Sequence, residues 1–241
     1  MLNIALASPD RKYVPELRLQ PSAWGNGPGC ATPEQSPLTL IPGRDADVSR
    51  NLGNLFTTIT FLLACYLLFI FDQHDAGLQF SEYFSINPKV GSAYALGVDG
   101  LSMPMVALAT LLTSIALLAS SSITNGVKGY HISILLTEFG MLGVFLAQDW
   151  SLFYIFWEIT LIPMFFLIDR WGGKRRQTAS LNFVLYTMGG SVFMLVSLIA
   201  IYQYVPEHVS LMSAMSHVSE TMPKDQQVWA FLGFLIGFDV K

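Results

Sequence analysis

Charge is what this sequence is short of. Only 12% of its 241 residues are Asp, Glu, Lys or Arg, against roughly 25% in soluble domains. Meanwhile 52% are hydrophobic, so too little polar surface exists to solvate a globule of this size, and the chain reads as an integral membrane protein. Cysteine is scarce as well: Cys30 lies in a polar segment, Cys65 in an apolar run, and no C-x-x-C occurs. Neither an iron–sulfur centre nor a thiolate zinc site is expected. The four histidines, His74, His131, His208 and His217, are not paired inside apolar runs, which removes a di-haem cytochrome. His208 and His217 share a loop without a nearby third ligand and read as solvated. No Gly-rich phosphate loop is present, no Ser/His/Asp arrangement is readable, and nucleic acid is not among the expected partners.

Proline is plentiful only at the start. Seven of the twelve prolines fall between Pro9 and Pro42, mixed with Gly, Ser and charges, so 1–50 is expected to be a disordered tail. Its first residues lack the basic n-region and long apolar core of a secretory signal. From residue 51 onward an all-α transmembrane bundle is expected, with five full spans and a short or broken sixth. The apolar runs are 52–71, 101–122, 130–147, 151–168, 181–204 and 228–240. The first five approach or exceed the ~20 residues that cross a ~30 Å hydrocarbon layer. The sixth gives only ~20 Å at 1.5 Å per residue, and carries Gly233 and Gly237 as a small-xxx-small pair for close helix approach. Between the first two runs, Gln79–Phe84 alternates and Ser92–Gly97 reads as a second short extended piece, which suggests a small hairpin.

Threading the five full runs in order puts Arg44, Arg50, Lys128, Arg170, Lys174, Arg175 and Arg176 on one side and Lys89 and Lys224 on the other. By the positive-inside rule the first side, with the tail, is cytoplasmic.

Inside this apolar frame the acids stand out. Glu158 sits mid-run in 151–168, where an ionised carboxylate costs ~3 kcal/mol on insertion scales. Pro163, five residues on, has no N–H and so frees the carbonyl of Ile159. A buried acid beside a loosened turn is a place where protons can stop and move on. Glu138 lies in the preceding run, which only Gln148 and Asp149 separate from the next. The two helices must therefore be antiparallel neighbours, with both acids at comparable depth. Asp239 and Lys241 end the chain. A Glu–Lys pair whose separation changes would load and unload a proton, because burial raises a carboxyl pKa and a nearby Lys lowers it. The aromatics Phe153, Tyr154, Phe156 and Trp157 read as lipid contact and helix packing.

Three phrases, LGVDGLSMPMV, EFGMLGVFLAQDWSLFYIFWEITLIPMFFLIDRWGGKRR and LNFVLYTMGGSVFML, closely resemble the antiporter-like subunit 4 of respiratory complex I and its photosynthetic relatives. The resemblance covers roughly 38–241. It implies a proton-translocating membrane subunit of an NADH, NADPH or ferredoxin:quinone oxidoreductase, an enzyme whose redox work lies in other subunits. No cofactor is expected in this chain; quinone and nicotinamide or ferredoxin would be handled by partner subunits, and the chain's own partners would be the other membrane subunits of the complex and the lipid bilayer. Carried over by motif, Glu158 resembles the family's key acid on the fifth helix, Lys241 the partner lysine on its broken seventh helix, and Glu138 an acid on the preceding helix. The implied location is a bacterial plasma membrane or a thylakoid. Departures are a Pro-rich tail in place of the first helix, Asp239 for a small apolar residue, Asn182 for a common lysine, and an end at Lys241. The chain is thus expected to be truncated, leaving an inert membrane remnant or a sodium/proton antiporter subunit as the alternatives.

Overall fold

The computed structural model describes residues 46–74, 77–87, 91–205, 209–215 and 218–240. The Pro-rich tail up to residue 45, Lys89, His208, His217 and Lys241 lie outside the described residues. Helices α1 (Ala46–Ile70), α2 (Ser102–Ala119), α3 (Val127–Leu146), α4 (Trp150–Ile159), α5 (Leu161–Trp171) and α6 (Arg176–Tyr202) are followed by a one-turn α7 (Met212–Met215) and by α8 (Lys224–Asp239). With α4 and α5 sharing one span, five helices are long and apolar enough to cross a membrane. The chain is a multi-pass integral membrane protein. Its outward faces carry large apolar side chains, among them Leu62, Phe69, Leu185 and Trp229, a surface that suits acyl chains rather than water.

Between α1 and α2 the chain forms an antiparallel hairpin, β1 (Gln79–Asn87) with β2 (Ser92–Val98), as the alternation implies. The phrase LGVDGLS then turns into α2 through a reciprocal cap. Asp99 Oδ1 accepts from the N–H groups of Leu101 at 3.1 Å and Ser102 at 2.6 Å, while Ser102 Oγ accepts from the Asp99 N–H at 2.9 Å. This satisfies donors that a helix start leaves open. Chiefly the Ser102 N–H, opposed by partial burial, holds the Asp99 carboxyl below its ordinary pKa.

Helices α1, α2 and α3 pack on one another; α5 lies between α3 and α6, and α8 lies on α6. The α6–α8 contact is made by the small-residue pair. A Cβ on Gly233 would run into the Ser197 hydroxyl, and one on Gly237 would come within 2.7 Å of Met194 Cβ. Helix α8 starts a turn before the apolar run, at Lys224 after Pro223. Its 16 residues still give only about 24 Å, short of a ~30 Å core.

Candidate functional site

The span around Glu158 is interrupted where proline predicts it. Helix α4 ends at Ile159, α5 starts at Leu161, and Thr160 stands between them. Pro163 is fully buried and offers no N–H to the carbonyl four residues back. Thr160 stitches the break: its N–H donates to Phe156 O at 3.3 Å and its hydroxyl to Trp157 O at 2.8 Å. Glu158 occupies the turn just before this gap. It is half-buried, and its Oε1 is shielded from solvent without a hydrogen-bond partner among the described residues. One turn earlier, Tyr154 shares a hydrogen bond with Ser191 on α6 and lies in the electrostatic field of Glu158.

The far side of α4 is an aromatic seam. Trp150 meets Phe234 with ring centroids 5.7 Å apart, and Trp157 meets Phe238 edge-on at 5.4 Å, arrangements the ring quadrupoles favour. Phe156 instead faces α3, edge-on to Phe139 at 5.5 Å. These rings are packing elements, and much of their surface is spent on neighbouring helices rather than on lipid. The seam fixes the end of α8 relative to Glu158. Val240 abuts Gly190, whose added Cβ would sit 2.7 Å from Val240 Cβ. Gly190 adjoins Ser191, so the residue preceding Lys241 reaches the level of Tyr154, one turn from Glu158.

Glu138 is placed differently. It is 3% exposed, and the hydroxyl of Thr60 on α1 donates to its Oε1 at 3.0 Å. The α3–α4/α5 register is set by Gly140 against Thr160 and Gly143 against Phe156. It places the two acids about one helical turn apart in depth, ~5 Å, in keeping with their expected comparable level. They turn to different neighbours, however: Glu138 to α1, Glu158 to the α6 side.

Sequence reasoning passed over Thr60, which nothing in an apolar run marks, and treated Asp149 only as a connector. Asp149 is fully buried. It caps α4 through the N–H groups of Ser151 at 2.8 Å and Leu152 at 3.1 Å, and also accepts from Ala93 N–H at 3.0 Å and from the Ser210 hydroxyl. The signal was legible, since Asp directly before an apolar run is an N-cap pattern. Among the described residues no group of three or more His, Cys, Asp or Glu side chains is placed to hold a metal ion.

Residues 147–241 match the family model described as NADH:quinone oxidoreductase/Mrp antiporter, TM. NAD(P)H-quinone oxidoreductase chain 4 1 of Synechococcus elongatus is 39% identical over 210 residues, covering 85% of this chain and 38% of that protein. The protein of the same name from Picosynechococcus is 38% identical over 209 residues with the same coverage. The chain thus spans less than two fifths of the length of these curated relatives. Among solved structures, respiratory complex I from Thermus thermophilus with bound NADH superposes with a TM-score of 0.70 at 29% identity, over 78% of this chain and 38% of that one. The Mrp complex of Dietzia superposes at 0.69 with 17% identity, over 81% of this chain and 21% of that one, a likeness of fold. Over 147–241 the chain thus matches the NADH:quinone oxidoreductase/Mrp antiporter transmembrane family, and the curated relatives it is similar to are NAD(P)H-quinone oxidoreductase chain 4 proteins.

Proposed function

We propose that this chain forms the first part of one proton channel in a proton-pumping NAD(P)H or ferredoxin:quinone oxidoreductase. Glu158 is the acid that takes up and releases the proton, Lys241 is its charge partner, and Glu138 is a second proton-holding group on the neighbouring helix. Nicotinamide or ferredoxin and quinone are handled by partner subunits, and this chain itself binds no cofactor. One observation carries the reading: the Glu158 carboxylate has a buried oxygen with no hydrogen-bond partner among the described residues, next to a turn loosened by Pro163. An ionised acid left so in hydrocarbon is costly, whereas one that trades its proton with a neighbour is not held permanently charged. The end of α8, seated on Gly190, supports Lys241 as that neighbour. Closing and opening the Glu158–Lys241 distance would lower and raise the acid's proton affinity.

The test is Glu158→Gln in the assembled complex that contains this chain. Proton uptake coupled to quinone reduction is expected to fall by roughly tenfold or more, since one general acid–base group contributes about 10²–10⁴ to proton transfer. Glu158→Asp, with the charge kept on a shorter arm, is expected to retain more activity than the amide. Near-normal pumping by Glu158→Gln removes Glu158 from the mechanism.

A further inference from the structure

The cytoplasmic halves of α1 and α3 are joined by a polar seam. The two helices run parallel, in a register that repeats over two turns: Gly53 faces His131 and Thr60 faces Glu138, both pairs 78 positions apart in sequence. On α1, Arg50, Asn54, Thr57 and Thr60 fall at helical spacing on the face turned to α2 and α3. Three polar atoms along this seam are buried without a partner among the described residues: Arg50 Nε, Asn54 Oδ1 and His131 Nε2.

His131 is 97% buried, and its Nδ1 lies 2.8 Å from Val127 O. A carbonyl only accepts, so Nδ1 carries the hydrogen and Nε2 of the neutral ring offers a lone pair. The ring edge bearing Nε2 faces α1, because the adjacent Cδ2 comes within 2.6 Å of where a Cβ on Gly53 would be. Asn54 is the next residue. Seven residues beyond the Gly53–His131 contact, about 10 Å along the axis, Thr60 meets Glu138. The Thr60 hydroxyl has two acceptors, Thr57 O at 2.9 Å and Glu138 Oε1 at 3.0 Å, but only one hydrogen.

We propose that this seam is a water-filled inlet by which protons pass from the cytoplasmic face to Glu138, with Thr60 as the positioning hydroxyl at its inner end. The inlet rests on the proton-channel reading above. Buried polar atoms in native proteins are paired with protein or with ordered water, and a site with two to four polar partners holds water stably. Asn54 Oδ1 and His131 Nε2 are acceptors, and Arg50 Nε is a donor, so a file of waters finds partners of both kinds. At the inner end one proton enters and one leaves. Thr60 Oγ takes the excess proton handed along the waters from the cytoplasmic end as its own hydrogen passes to the Glu138 carboxylate, so each water is left neutral. The hydroxyl then turns its hydrogen to Thr57 O and accepts the O–H of the neutral acid. Either protonation state of Glu138 is thereby hydrogen-bonded.

The experiment uses the assembled membrane complex with Cys30→Ser and Cys65→Ala as background. Asn54→Cys is treated from the cytoplasmic face with methanethiosulfonate ethylammonium, which needs a hydrated thiolate to react. Leu62→Cys on the lipid-facing side of α1, a position 60% exposed, is the control. Asn54→Cys is expected to react roughly tenfold faster than the control. Thr60→Val is expected to lower pumping by about fivefold, and Thr60→Ser, which keeps the hydroxyl, to restore it. If Glu158→Gln stops pumping while Asn54→Cys reacts no faster than Leu62→Cys, or Thr60→Val pumps normally, the inlet alone is overturned. If Glu158→Gln pumps normally, the channel reading has failed, and the water path stands or falls on the labelling rates.

Discussion

At Asp149 a single carboxylate holds three pieces of chain. It caps α4 and pins Ala93 of β2 and Ser210 of the segment before α7, all in a position closed to solvent. Deleting it leaves buried N–H donors without an acceptor, the expensive direction for a lost hydrogen bond. Asp149→Ala is therefore expected to destabilise this end of the bundle by on the order of 3 kcal/mol, about 1 of it the lost cap. Asp149→Asn keeps one acceptor oxygen, and an intermediate loss is expected. Thermal unfolding of the purified complex, followed by proteolysis at the hairpin, measures both. An alanine variant with an unchanged melting point and an uncleaved hairpin would show that the clasp holds nothing. Glu158 and Glu138 divide the other residue-scale question: the first is half-buried with an oxygen that has no partner among the described residues, the second enclosed and served by Thr60.

Helix α8 is held by shape. Its glycines let it lie against Phe193, Met194 and Ser197 of α6, and the rings of α4 close over it. In lipid no hydrophobic drive joins two helices, so this close packing is what keeps them together. The Cβ positions of residues 233 and 197 are 3.3 Å apart, near the ~3.8 Å of a disulfide. Oxidation of the Gly233→Cys, Ser197→Cys pair is expected to cross-link the helices in high yield. Adding Gly237→Leu, whose Cβ alone would come within 2.7 Å of Met194 Cβ, is expected to abolish most of that yield. Undiminished cross-linking would mean that α8 does not depend on the glycine contact. This element was legible in the sequence, as were all five spans and the hairpin, because each announces itself by period or by small-residue spacing. The pairing of Glu138 with Thr60 was not, since which face of α1 meets α3 depends on helix rotation, and an apolar run with scattered Thr and Ser does not encode rotation. The break at Thr160 was half legible. Pro163 marks the freed carbonyl, but the hydroxyl that closes the gap belongs to the fold.

Over the whole molecule, each end of the bundle is tied by its own hydrogen bonds and ring contacts. At one end Arg50 donates to Ile123 O at 2.5 Å, Trp171 Nε1 donates to Asn125 O at 2.9 Å, and Tyr130 packs edge-on to Trp171 at 5.3 Å. These contacts gather the start of α1, the α2–α3 turn and the end of α5. At the other end Gln148 N–H donates to Ala95 O and Met212 N–H to Gln148 O, both at 2.9 Å, gathering the hairpin, the α3–α4 turn and the segment before α7. The up-and-down threading inferred from the apolar runs is therefore the threading of the structure, and charge has only to say which end is which. Arg50, Lys128, Arg170, Lys174, Arg175 and Arg176 all belong to the first end, and an excess of Lys and Arg in short loops marks the cytoplasmic side. Lys174→Cys, in the Cys30→Ser, Cys65→Ala background, is expected to react with an impermeant maleimide from the cytoplasmic face only. Tyr83→Cys on the exposed strand β1 is expected to react from the opposite face only. Reversal of both would invert the bundle and make the seam of Asn54 and His131 open to the outside instead. Labelling of both from one face would break the threading itself, and with it the common depth of the two acids.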